Sequence, residues 1–310
     1  MAEPASRQAV LIAGPTASGK SACALAVAAQ IGGTIINCDS MQVYADLAVL
    51  TARPDPAVMA AVPHRLYGHI DAARAYSVGA YARDVAALLA APDLNAPLIF
   101  VGGTGLYFAA LTDGLSPIPD IPSAVRDAWR ARMDQRGPGA LHAELMRVDP
   151  VTAAQIRTQD RQRIVRALEV FEATGRPLSA WQDEPARPLL DGWHIHRFVL
   201  TGPRDTHYAR ADARVPDMIA RGALAEVAAL RDRHLAPDLP CMRAIGVRPL
   251  MAHMAGALTL EAATDQMQQD TRRYIKRQTT WSRARMQSWK PIEISDSCAN
   301  AIVNDLLQKK

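Results

Sequence analysis

The sequence predicts an α/β fold: a P-loop NTPase-like parallel sheet core with helices on both faces and an all-helical insertion domain. Three observations carry this. Gly14 to Ser21 reads GPTASGKS, the phosphate-loop pattern G-x-x-x-x-G-K-[ST], between an apolar run, Ala9 to Ala13, and an Ala-rich stretch, Ala22 to Gln30. Further short apolar runs alternate with stretches of helical spacing. From Ser123 to Thr174 helical patterns follow one another with no strand pattern between them.

In order along the chain, Met1 to Gln8 reads as a loose start, then come the first strand, the phosphate loop and its helix. The loop's glycines let successive N–H groups turn inward, and the helix N-terminus adds its positive end. Lys20 adds a full charge, and the Ser21 hydroxyl can sit on a magnesium ion, so the loop is expected to hold a di- or triphosphate. The second strand, Thr34 to Cys38, runs into Asp39-Ser40-Met41-Gln42-Val43-Tyr44. In an open parallel sheet Asp39 then lies at the carboxyl end of its strand, beside the phosphate loop. Two readings stand equally: an acid of the site, or the side chain of an Asx turn or helix cap.

Residues 51–78, rich in Pro, His and Arg, read as loop with short turns. Ser77 to Leu89 has helical spacing, and Pro92 and Pro97 bracket a turn. Pro97 to Val101 is the third strand, and Gly102-Gly103-Thr104-Gly105-Leu106-Tyr107 opens a helix. This second glycine-rich turn can face an anion, or it can mark tight strand–helix packing. No acid follows Val101, where nucleoside triphosphatases carry a magnesium-binding Asp. Asp39 is left as the candidate acid near the phosphates.

Three prolines between Gly114 and Pro122 mark a boundary. Helices are expected over 123–137, 140–147 and 152–174, with Ser123 as a cap and Gly175 as a stop. Domain limits are drawn at 1–114, 115–197 and 198–310, the first and last being two parts of one core. His194 to Leu200 returns the chain to the sheet. No acid or Cys is spaced to make a metal site with His194 and His196. Helices are expected around Arg210 and Arg214, over 226–235, and over 260–288 as one or a pair, with a loop at 240–246.

Composition narrows the class. Hydrophobic residues at 49% and charged residues at 21% describe a globular chain able to bury a core. The net charge of +4 is compatible with nucleic acid without requiring it. The four cysteines, Cys23, Cys38, Cys241 and Cys298, form no C-x-x-C pair, which fits reduced thiols and a cytoplasmic protein. Neither a signal peptide nor a membrane-spanning helix is expected, hence no membrane partner.

Two stretches are basic. One is the Arg series of the helical region, Arg126, Arg130, Arg132, Arg136, Arg157, Arg161, Arg163 and Arg166. The other is 271–290, with Arg272, Arg273, Lys276, Arg277, Arg283, Arg285 and Lys290, no Asp or Glu, and Tyr274, Trp281 and Trp289 interleaved. Either is an RNA-facing surface or a solvated helix face.

Taken together, GPTASGKS (14–21), DSMQVY (39–44), GGTGLY (102–107), DRQRIVRALEVFEATGRPLS (160–179), RVPDMIARGALAEV (214–227), MRAIGV (242–247) and YIKRQTTWSR (274–283) resemble the bacterial tRNA isopentenyltransferase (tRNA dimethylallyltransferase) family over nearly the whole chain. The resemblance implies transfer of a dimethylallyl group from dimethylallyl diphosphate to N6 of adenosine 37, in tRNAs reading codons that begin with U. Gly14, Pro15, Thr16, Ala17, Ser18, Gly19, Lys20 and Ser21 would bind the diphosphate, with Mg2+ as cofactor touching Ser21. Asp39 would take the N6 proton, Thr104 would contact the substrate, and Arg214 would reach the diphosphate. Asp39, Ser40, Met41, Gln42 and Thr104 would meet the flipped adenine. The anticodon stem-loop would be gripped by Arg126, by Gln162, Arg163, Ile164, Val165 and Arg166, by Arg243, Ala244, Ile245, Gly246, Val247 and Arg248, and by Arg277. A monomer is the simplest expectation.

The chain departs from the family pattern at Val247, where Tyr is usual, at Arg53, where Lys is commoner, and at Arg65, where a second His is common. It has no Cys/His zinc finger of the kind eukaryotic members carry, so a bacterial-type member is expected. The alternatives are an adenylate isopentenyltransferase, a P-loop small-molecule kinase, and a nucleotide-binding RNA-interaction protein without catalysis. The basic stretches argue against the first, the missing acid after Val101 against the second, and Asp39 against the third.

Overall fold

A computed structural model describes residues 7–91, 94 and 97–308. The loose start over Met1 to Gln8 lies outside these up to residue 6, as does part of the turn between Pro92 and Pro97. Two compact units divide the chain: residues 1–112 with 189–310, and residues 113–188.

The first unit is built on a six-stranded sheet, all parallel. Its strands are β1 (Gln8–Ala13), β2 (Thr34–Asn37), β3 (His64–Arg65), β4 (Leu98–Gly102), β5 (His194–Thr201) and β6 (Lys290–Glu293), in the order β3-β2-β4-β1-β5-β6. A parallel strand covered on both faces reads as an unbroken apolar run, which is why Ala9 to Ala13 and Leu98 to Val101 stand out in the sequence. Alternate residues of β1 feed two cores. Ala9, Leu11 and Ala13 pack with Ile36, Phe100, Tyr81, Val85, Tyr107 and Phe108, from β2, β4 and the helices Val78–Ala90 and Gly105–Thr112. Val10 and Ile12 pack with Ile35 of β2, Ile99 of β4, and Cys23, Val27, Ile302 and Val303 of the helices Lys20–Ile31 and Cys298–Gln308. Helices therefore cover both faces. Leu11 and Ile12 are fully buried, each contributing about 1.5–3 kcal/mol of burial.

A third core joins the segment after β2 to four helices, Arg204–Ala220, Ala223–Asp232, Val247–Met254 and Leu260–Arg285, through Tyr44, Leu47, Val215, Val227, Leu250 and Met267. Glu226 fastens this join by accepting from the backbone N–H groups of Val49 and Leu50, both at 2.9 Å.

Several expectations are corrected. The 51–78 stretch holds a short helix, Pro56–Ala61, and the edge strand β3. The stretch 152–174 is two helices, Pro150–Gln155 and Arg161–Thr174. Of the two readings of 260–288 the single helix holds, but it ends at Arg285 and is followed by β6. A domain limit at 197 would cut β5, whose residues from His194 already pair with β1 from Gln8; the division falls at 188. The chain leaves and re-enters the first unit side by side, since Leu189 N donates to Ala110 O at 3.3 Å and Leu190 N to Leu111 O at 3.1 Å.

The second unit is helical. The span Ser123–Val148 breaks at Gly137, where φ 74° and ψ 168° admit glycine and Pro138 follows. Trp129, Met133, Leu141, Leu145, Ile164 and Leu168 form its core. Asp149 caps Pro150–Gln155, accepting from Thr152 N at 3.0 Å, and also accepts from Ser179 Oγ at 2.7 Å, tying two helices together. Much of the Arg series pairs with acids: Arg132 with Glu172 at 3.0 Å, Arg136 with Glu144 at 2.7 Å, Arg163 with Asp160 at 3.4 Å, and Arg161 with Asp134.

Candidate active site at the carboxyl ends of the strands

β1 ends at Ala13 and the chain turns into the phosphate loop. Gly14 N donates to Gly102 O at 3.2 Å, which sets the loop against the end of β4. A Cβ at Gly14 would stand 2.8 Å from Ser18 Oγ and 3.1 Å from Leu200 Cβ, so only glycine fits beneath the curled loop. Ala17 (φ 63°) and Gly19 (φ 76°) take left-handed conformations, and the first turn of Lys20–Ile31 begins with Cys23 N donating to Gly19 O at 3.0 Å. Ser18 is buried and its Oγ has no hydrogen-bond partner among the described residues.

The ends of β2 and β4 are stitched together beside this loop. Thr104 N donates to Cys38 O at 3.0 Å, Ser40 N donates to Thr104 Oγ1 at 2.9 Å, and Thr104 Oγ1 donates to Ser40 Oγ at 3.3 Å. Asp39 lies between Cys38 and Ser40, and its Oδ1 accepts from Met41 N at 2.9 Å. The Asx turn and the strand-end carboxylate are thus both present, in one residue. Beneath them Tyr81 and Tyr107 stack at 3.8 Å, and Cys38 Sγ lies 2.9 Å from the Tyr81 hydroxyl.

Charge converges on the same place. Burial pushes Lys20 down to about 8; Asp39 opposes this and Arg214 adds to it. Burial likewise lowers Arg214, on the helix Arg204–Ala220, and Asp39 again opposes. Burial first and Asp39 next hold the Tyr107 and Tyr274 phenols up. Asp39 therefore lies within electrostatic reach of both Lys20 and Arg214. Lys20 Nζ donates to Pro15 O at 3.3 Å, folded over its own loop.

Gln278, from the helix Leu260–Arg285, is a member of this site that sequence reasoning missed. Its Oε1 accepts from Thr16 N at 2.8 Å and its Nε2 donates to Gly103 O at 3.1 Å, so one buried amide joins the two glycine-rich turns. A Cβ at Gly103 would stand 2.1 Å from Gln278 Nε2, and one at Gly105 2.3 Å from the Trp281 ring. Tight packing is therefore what Gly103 and Gly105 serve, while Thr104 between them faces Ser40.

The remaining sequence-predicted residues sort by face. Gln42 is buried, and its Nε2 donates to Thr51 O at 2.9 Å and Ala52 O at 3.2 Å; both amide hydrogens are spent on the chain itself. Met41 packs on the third core. Ala244 and Val247 are buried in that core, and a Cβ at Gly246 would meet Leu50 at 2.7 Å. Their side chains cannot reach RNA, whereas Arg243 and Arg248 are exposed and Ile245 is half-buried. In the helical unit Ile164 and Val165 face the core for the same reason, while Arg126, Gln162, Arg163 and Arg166 are exposed. Arg277 is exposed, its guanidinium 5.5 Å from the Tyr274 ring centroid. Ser21 is exposed on the first turn after the loop.

A family model described as IPP transferase matches residues 42–285. Among known proteins, a tRNA dimethylallyltransferase of Methylobacterium radiotolerans is 52% identical over 300 residues, covering 96% of each chain. One of Bradyrhizobium sp. is 54% identical over 284 residues, covering 91% of this chain and 93% of that one. Among solved structures, the full-length tRNA isopentenylpyrophosphate transferase from Bacillus halodurans has a TM-score of 0.68 at 31% identity, covering 98% of both chains. A eukaryotic dimethylallyltransferase acting on tRNA has a TM-score of 0.81 at 24% identity, covering 98% of this chain and 80% of that one, a likeness of fold.

Proposed function

The chain belongs to the IPP transferase family, and we infer that it is a tRNA dimethylallyltransferase like the relatives it matches. The dimethylallyl group passes from dimethylallyl diphosphate to N6 of adenosine 37 of tRNA. The bond from N6 to C1 of the allyl group forms, the bond from C1 to the diphosphate oxygen breaks, and N6 gives up a proton. The observation that carries this reading is the site geometry: the phosphate loop set against the end of β4, with Asp39 between the Cys38 and Ser40 bonds to Thr104.

Negative charge grows on the leaving diphosphate. The backbone of Gly14 to Ser21, the Lys20 ammonium and the Arg214 guanidinium receive it. Asp39 keeps one carboxylate oxygen on Met41 N–H and offers the other to the N6 proton. Ser40 and Thr104, held to each other, form the ledge on which the adenine edge rests. An amine of this kind is a weak nucleophile, so fixing N6 in line with C1 supplies much of the acceleration.

Mg2+ fits this donor set as an ion borne by the diphosphate. Among the described residues no three His, Cys, Asp or Glu side chains converge, Asp39 is half-committed to its turn, and Ser21 offers a free-standing hydroxyl beside Lys20. Magnesium characteristically keeps substrate phosphate oxygens and water with few protein ligands. When bound, it neutralises charge on the leaving group.

The exposed cations Arg243, Arg248 and Arg277 of the sheet unit, with Arg126, Gln162, Arg163 and Arg166 of the helical unit, meet the anticodon stem-loop backbone. The protein works as a cytoplasmic monomer. No helix among the described residues is long and apolar enough to cross a membrane.

The test is incubation with radiolabelled dimethylallyl diphosphate, magnesium and unmodified tRNA carrying A36-A37-A38. Label in RNA at position 37 is expected. Label in AMP alone would assign an adenylate isopentenyltransferase instead, and phosphate release from ATP without prenyl transfer a kinase-type activity.

A further inference from the structure

The sheet unit holds a second concave site. It is a cavity of about 250 Å³ walled by Val49, Arg53, Asp55, Met59, Tyr67 and Arg221, and none of Lys20, Asp39, Thr104 or Arg214 lines it. It follows the seam between two cores. Met59 and Tyr67 pack with the core of Val10 and Ile12, and Val49 packs on the core of Tyr44 and Leu47. Apolar walls with a few fixed polar groups are what a small organic ligand needs.

Arg53 is the fixed polar group. Its Nη1 donates to Tyr44 O at 2.9 Å and to Ala45 O at 3.3 Å, which spends both hydrogens of that nitrogen. Its guanidinium lies against the bare Cα of Gly68, where a Cβ would stand 2.1 Å from Nη1 and 2.8 Å from Cζ. The fork is therefore held in place by the chain itself. Arg53 pairs with no carboxylate among the described residues, and its Nε–H and Nη2–H remain, the edge that matches two oxygens of one oxyanion. In the same wall Arg221 pairs with Asp55 at 3.1 Å. Two guanidiniums and one carboxylate leave the wall one net positive charge. That balance suits a single carboxylate better than a phosphate dianion. The backbone points the same way: phosphate sites gather N–H groups, and two of the lining residues, Pro54 and Pro56, have none to give.

We propose that this cavity binds a short-chain aliphatic carboxylate, its oxygens on the Arg53 fork and its hydrocarbon body against Val49, Met59 and Tyr67. The proposal does not rest on the diphosphate reading of the phosphate loop.

The test uses the full chain with isotope-labelled methionine methyls, titrated with isovalerate, with acetate and with inorganic phosphate. The Met59 methyl resonance, assigned by its loss in Met59→Leu, is followed by NMR. Isovalerate is expected to shift it saturably and to bind about tenfold or more tighter than acetate, because its additional carbons leave water. Arg53→Met removes the fork and is expected to weaken isovalerate about tenfold or more. Arg53 also ties Tyr44 and Ala45, so a second variant leaves it in place. Ala48→Leu fills the cavity from another part of its wall and is expected to abolish the isovalerate shift with an unchanged Tm. A Met59 methyl unmoved by isovalerate, or an isovalerate affinity unchanged in either variant, overturns the proposal. Phosphate binding tighter than isovalerate overturns the carboxylate assignment.

Discussion

Gln278 and Thr16, 262 residues apart in sequence, are joined by a 2.8 Å hydrogen bond from the phosphate-loop backbone to the side-chain oxygen of the last long helix. The same amide donates to Gly103 O at 3.1 Å. Replacing Gln278 with Leu leaves a backbone donor and a carbonyl unpaired, at a cost of about 1–3 kcal/mol for each buried group left so. We expect a lower urea midpoint and prenyl transfer reduced about tenfold or more, chiefly through weaker diphosphate binding. Denaturant titration and steady-state kinetics check this; wild-type values in both would remove Gln278 from the positioning of the loop.

Asp39→Asn keeps an oxygen for Met41 N–H and so keeps the turn, but it cannot accept the N6 proton. Prenyl transfer is expected to fall about 10²–10⁴-fold, with tRNA affinity within about twofold of wild type in filter binding. Full transfer by this variant would move the proton to another acceptor.

The Lys20 ammonium is pushed down to about 8 from the ordinary 10.5, first by burial. The diphosphate prefers the charged form, so binding is strongest below this value and weakens as pH rises through it. Pyrophosphate titrated between about pH 7 and pH 9.5 is expected to lose affinity toward the alkaline end. In Lys20→Arg, whose side chain stays charged, the slope should flatten. An equally steep profile in that variant would assign the pH dependence to another group.

Arg277 is solvent-exposed over Tyr274 on a helix face without nearby acids after Asp270. Arg277→Ala should weaken tRNA binding and reduce the magnitude of the salt slope by about 1. An unchanged slope would return Arg277 to the ordinary solvated surface.

Much of the fold was legible because β1, the middle of β2, β4 and the Phe198–Leu200 half of β5 are apolar on both faces, and helices between them kept a helical period. β3 and β6 escaped for the opposite reason. Each lies at a sheet edge, and β6 buries only Ile292 beside a proline, a residue that edge strands tolerate. At the site, Asp39 and the phosphate loop were visible because short local patterns encode them. Gln278 was not, since no local pattern predicts a contact across 262 residues. Ile164, Val165, Ala244 and Val247 were carried along with their segments. Helical periodicity sends Ile164, Val165 and Val247 inward, and the turn after Pro240–Arg243 does the same for Ala244, while Arg163, Arg166, Arg243 and Arg248 point out.

The paired bonds Ala110–Leu189 and Leu111–Leu190 close the sheet unit at the point where the intervening chain departs and returns. Whatever the length of chain between Thr112 and Leu189, its two ends are already held together, so a change of length there adds little loop-closure entropy to the sheet unit. Insertions and deletions within the helical unit can accumulate without disturbing the strand ends that carry Lys20, Asp39 and Thr104.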